Sequence, residues 1–200
     1  MVEPHKKVGL SQLMATESFP DEPRYRHGAP LGHVAVNGIL FQCCWFLALL
    51  QGWLVALPIL FLMLAHYVYT SVDRRWDSRI LVGVTSIGIL IDALMGAVGV
   101  FQFGQTDPVL FVLGIPNWLC VVWLAFALTL NRSLRWLVSK PRWFVIACTV
   151  AGPLSYSAGR NLGVVQFSNY AIFFLMLEWF FISLIALYVC SYSKPKASSE

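Results

Sequence analysis

From His27 to Val72 the chain contains no Asp, Glu, Lys or Arg. The apolar part of this run, residues 34–69, would be roughly 54 Å long as one helix, against a hydrocarbon core of about 30 Å. Such a run must fold back on itself, and Gln51-Gly52 is the turn signal within it. Composition points the same way. At 58% hydrophobic and 12% charged, the chain lies far below the soluble norm of about 25% charged. A soluble domain of 200 residues could not hide that much apolar surface. Bilayer is the natural solvent, and the expected fold class is all-α, a polytopic bundle of transmembrane helices.

The hydropathy pattern divides residues 33–192 into six spans of one transmembrane domain. The spans cover residues 34–50, 53–72, 80–101, 117–134, 143–159 and 169–190. The first two are near the short limit for a membrane helix, so five spans is the alternative. A charged stretch, Asp73-Arg74-Arg75-Trp76-Asp77-Ser78-Arg79, separates spans two and three. A loop with Gly104, Asp107, Pro108, Gly114 and Pro116 follows span three. Residues 1–32 and 193–200 read as polar tails, and the first lacks the apolar core of a secretory signal peptide.

Orientation follows from the Lys and Arg distribution. With six spans, both termini and the loops at 73–79 and 131–142 share one side, which receives every Lys and Arg except Arg160. That side is expected to be cytoplasmic. The five-span version would move only the N-terminal tail across. The five cysteines, all in apolar stretches and without C-x-x-C spacing, read as small buried hydrophobes.

Asp92 is the sole charged residue between Ile80 and Thr106. A carboxylate at such depth costs roughly 2.5–3.5 kcal/mol on insertion scales, so it marks a functional-site candidate. Thr85, Gly88, Asp92, Gly96 and Gly99 recur at intervals of three and four and are expected on one face, where small residues admit a close neighbour. Gly152, Ser155, Tyr156, Gly159 and Arg160 give span five a polar stripe, and Pro153 is expected to kink it. A buried structural aspartate, hydrogen-bonded between helices, is the competing reading. Arg160 has two options, snorkelling to headgroups or reaching inward to a carboxylate. Asp92 and Glu178 each lie nine residues inside the outer end of their span, about 14 Å at the helical rise. Pairing Arg160 with either would lower the cost of both charges, whereas two carboxylates together would leave one protonated.

The candidate polar pocket is therefore Asp92, Ser155, Tyr156 and Arg160, with Asn37, Gln42, Asn131 and Glu178 as secondary candidates. Asn37 and Gln42 more often bond between helices than bind a ligand. His66 alone is no metal site, and Asn131-Arg132-Ser133, although a glycosylation sequon, falls on the cytoplasmic side. No catalytic residue is assigned. The chain has no G-x-S-x-G, H-E-x-x-H or phosphate-binding loop, and no pattern requires a metal, a cofactor or nucleic acid.

Five segments in order carry a resemblance. They are residues 37–45 (NGILFQCCW), 92–101 (DALMGAVGVF), 116–123 (PNWLCVVW), 129–136 (TLNRSLRW) and 152–159 (GPLSYSAG). Together they resemble a family of small proteobacterial multi-pass inner-membrane proteins classed as a domain of unknown function. The resemblance covers about residues 33–192 and includes Asn37, Gln42, Asp92, Asn131, Ser155 and Tyr156, but not Glu178. It implies residence in the bacterial inner membrane and a link to enzymes that modify membrane fatty acids. Three function classes stay open: handling a lipid or small amphiphile in the intramembrane pocket, scaffolding a membrane-associated lipid-modifying enzyme through Arg74, Arg75, Arg132 and Arg135, and proton- or cation-coupled transport at Asp92. Transport would require a homo-oligomer, and no inverted repeat is visible.

Overall fold

The computed structural model describes residues 30–71, 73–104, 109–110 and 114–192. The expected polar tails, apart from residues 30–32 at the head of the first helix, and Asp107 and Pro108 lie outside the described residues. Helix α1 (Pro30–Gln51) starts on a proline, whose missing N–H costs nothing in a first turn. Gly52, at φ 86°, reverses the chain at the expected turn, and α2 (Trp53–Thr70) begins directly after it. The two pack as a hairpin with small residues at the contact: Cys44, Ala48 and Ala56 are fully covered.

Helix α3 (Arg74–Ala97) starts six residues before the expected span. The charged stretch is its first turn and a half, because Asp73 caps it by accepting from the Trp76 N–H at 3.0 Å. The helix also stops early. Gly99, expected on its polar face, instead adopts φ 78° and ends the helix. Two short antiparallel ladders then appear where a plain loop was expected: β1 (Gln102–Phe103) pairs with β4 (Val165–Gln166), and β2 (Val109–Leu110) with β3 (Ile115–Pro116). The β1–β4 pair clips the end of α3 to the link between α6 and α7.

Helix α4 (Asn117–Leu130) is about 21 Å long and lies at the centre, packed on α1, α2 and α3. It stops short of the expected residue 134 and is followed by the single turn α5 (Arg135–Val138). Helix α6 (Pro141–Asn161) packs on α7 (Ala171–Tyr192), which returns against α3. The six long helices overlie the six segments read as spans. Four of them, α1, α2, α3 and α7, are long and apolar enough to cross a membrane. Residues such as Ile39, Phe61, Val82, Leu154 and Phe173 face outward from five helices. An apolar perimeter of that extent is a lipid-facing surface.

Candidate functional site

Among the described residues the bundle holds two internal polar clusters and a large cavity. The first cluster is built around Asp92, which is completely buried on α3. Its Oδ1 accepts from the Tyr156 hydroxyl of α6, and its Oδ2 from the Trp123 indole N–H of α4. Local sequence explains the convergence. Gly88, one turn before Asp92, lies flat against the Trp123 ring, and any Cβ there would overlap it. Gly152, one turn before Tyr156, is likewise covered by Trp179 of α7. Trp123 and Trp179 stack at 5.3 Å between centroids, 15° from parallel. The glycines thus admit two indoles to the interior, and one of these meets the carboxylate.

Of the candidate pocket residues, Asp92 and Tyr156 are in contact. Ser155 is turned elsewhere, donating to the Gly152 carbonyl at 2.7 Å. Arg160 does not join them, so neither inward ion pair forms. It lies exposed at the end of α6, donates from Nη1 to Asn169 Oδ1 at 3.0 Å, and covers the Phe167 ring at 5.2 Å. The reason is depth. Four residues beyond Tyr156, the long stem reaches hydrated surface more cheaply than it could reach a buried acid. Neutral donors take the place of the arginine at Asp92. Glu178 of α7, only 2% exposed, meets Asp92 side chain to side chain, and neither of its oxygens finds an N–H or O–H donor.

The second cluster holds two of the secondary candidates, Asn37 and Asn131, around an ion pair that was not anticipated. Arg132 reads as a loop charge that orients the chain or docks a partner, and Asp77 as part of the charged stretch between spans two and three, yet both are buried. Arg132 Nη2 meets Asp77 Oδ2 at 2.8 Å. Its Nε donates to Thr70 at 2.9 Å and its Nη1 to the Asn131 carbonyl at 2.9 Å. Asp77 also accepts from Ser71 at 2.6 Å and from Asn131 Nδ2. The group ties the end of α2, the start of α3 and the end of α4 together. Asn37 extends it: its Oδ1 accepts from Ser133 Oγ at 2.7 Å, and its Nδ2 donates to the Leu128 carbonyl at 3.4 Å, one of the acceptors left open at the end of α4. His66 meets His33, ring nitrogens 3.3 Å apart. No group of three metal-ligating residues occurs among the described residues.

The cavity, of about 630 Å³, lies between α1 and α6. Phe41, Trp45 and Leu49 form one wall, Ala147 and Ala151 the other, and Phe126 belongs to the floor on α4. It extends from Gly38 and Ser133 to Leu49 and Gly159, about 16 Å along α1 at the helical rise. Its lining is mainly apolar, with Gln42, Thr129, Ser133, Ser155 and Tyr156 as polar points. Trp123 and Tyr156, which hold Asp92, present their other sides to it. Phe46 and Leu154 line it while standing 50% and 62% exposed, so it opens sideways on the perimeter. Sequence reasoning missed this space because a groove is made by helix spacing, which no single segment encodes.

A helical bundle with a lipid-facing perimeter, buried acids and a laterally open groove defines an integral membrane protein. The chain belongs to the family described as protein of unknown function (DUF2878), whose match covers residues 34–185. No curated protein and no solved structure matches it.

Proposed function

We propose that the protein is a multi-pass protein of a bacterial inner membrane that binds a lipid or single-chain amphiphile in the groove between α1 and α6. All six long helices cross, the shorter α4 as the sheltered centre, and both termini are cytoplasmic. Residues 33–192 act as one transmembrane domain. The observation that carries the reading is the cavity of about 630 Å³, apolar along its length and open toward lipid. Its volume falls within the usual range for small-molecule sites, roughly 300–1,000 Å³. A ligand entering between Phe46 and Leu154 comes from the bilayer and needs no passage through water. Once inside, its chain lies on aromatic faces while its polar part meets Ser133 and Thr129 at one end or Gln42 and Ser155 midway.

Tryptophan fluorescence tests this, since Trp45, Trp118, Trp123 and Trp179 all line the groove. A single-chain amphiphile with a brominated tail, added to the protein in bilayers, should quench emission saturably. Ala147→Phe, which fills the groove from the α6 wall, should leave only weak quenching proportional to tail concentration. Equal, unsaturable quenching in both proteins would remove the binding site from the account.

A further inference from the structure

We infer that Asp92 and Glu178 form a proton-binding site in the interior of the bundle, one proton being held between the two carboxyl groups. The two side chains come from α3 and α7 and meet each other while 0% and 2% exposed. An ionised carboxylate only accepts hydrogen bonds, whereas a protonated one also donates. Two ionised carboxylates in contact have nothing to share but repulsion, and at this depth water does not screen it. A single proton turns the same contact into a carboxylic acid donating to a carboxylate, among the stronger hydrogen bonds.

The surroundings single out a proton over other cations. Both Asp92 oxygens already accept donors, Oδ1 from Tyr156 and Oδ2 from Trp123. A metal ion needs those lone pairs, and donor hydrogens pointing at it would repel it. Neither Glu178 oxygen has an N–H or O–H partner, so the pair lacks one hydrogen bond that a proton supplies. The groups acting on the two acids are Trp123 and Cys120 from α4, Tyr156 from α6, and each other. No Lys, Arg or His among the described residues acts on either carboxyl, so no fixed positive charge balances a second negative one. Arg132 is committed to Asp77, and Arg160 to Asn169. Glu178, outside the resembling motifs, thereby acquires a definite role as the partner that keeps Asp92 neutralised by half.

Infrared difference spectroscopy of the purified protein in bilayers, with hydrogen–deuterium exchange to mark the acid carbonyl stretch, reads this proton without any lipid ligand. Wild type should show a buried carboxylic-acid band at neutral pH. Glu178→Gln should abolish it, because Asp92 then has no second carboxylate to share a proton with and is held ionised by three neutral donors. Asp92→Asn should remove or displace it, because the acceptor of the proton is no longer charged. Each variant is near isosteric, and if one fails to insert, the other decides. A wild-type spectrum without the band, a band that the inserted variants neither remove nor move, or displacement of the band by sodium or potassium at constant pH overturns the assignment.

Discussion

Replacing Asp77 by Asn should destabilise the bundle by about 3–5 kcal/mol, the range for breaking a buried ion pair by losing one member. The structure says why the upper part of that range is reachable. Arg132 is 1% exposed, and Asp77 gives it a carboxylate contact at 2.8 Å. The asparagine keeps the shape and, with its oxygen toward Asn131, takes the carboxylate away from the buried guanidinium, which keeps Thr70 and the Asn131 carbonyl as acceptors among the described residues. It also points amide hydrogens at both Arg132 and Ser71, which now donate to Asp77 Oδ2 at 2.8 Å and 2.6 Å. The expected loss corresponds to about 2–3.5 powers of ten in the folding equilibrium. Equilibrium unfolding in mixed micelles, following tryptophan emission, measures it. The combined change Asp77→Leu with Arg132→Met should cost less than either single change, since it leaves no unpaired buried charge. Single costs below about 1 kcal/mol, as for an exposed pair, or costs that simply add, would refute the buried-pair argument.

Trp123→Phe and Tyr156→Phe each remove one donor from Asp92 and should cost about 1–3 kcal/mol in the same assay, while Arg160→Gln should stay within about 0.5 kcal/mol. Gly88→Ala and Gly152→Ala should each destabilise by about 1–3 kcal/mol, because the added methyl overlaps an indole ring that is itself packed on another; unaltered stability would show that the rings can move aside. Changing Arg74, Arg75, Arg79, Lys140 and Arg142 together to Gln should give mixed topologies in reporter fusions, whereas Arg160→Gln should not, since all five are exposed at the basic end of the bundle. Reporters that keep a single orientation in the multiple variant would count against charge as the orienting force.

The helices were legible in the sequence because bilayer helices announce themselves one segment at a time. The turn at Gln51-Gly52 and the positions of all six long helices follow from apolar runs and their breaks. Helix ends were less legible: Asp73 capping turned a charged loop into the head of α3, and Gly99 stopped that helix before its apolar run ended. Asp92 could be found from cost alone, and Tyr156 from its spacing with Gly152. Trp123 was not singled out, although a buried indole must place its N–H somewhere, and a neighbouring helix with a lone acid was the natural place. Arg132 was misjudged for a related reason. Charge at a span end looks the same in sequence whether it meets headgroups or a buried aspartate, and only the fold brings Asp77 to it. Arg160 shows the reverse: of the two options open to it, snorkelling or an inward ion pair, its stem takes the one at the surface.

The groove is the centre of the account, and native mass spectrometry of the protein released from bilayer nanodiscs tests it most directly. The wild-type protein should carry one lipid or single-chain amphiphile through removal of the surrounding bilayer, and Ala147→Phe should emerge bare. A lone polypeptide mass for both proteins, or the same bound lipids on both, would contradict a ligand site between α1 and α6.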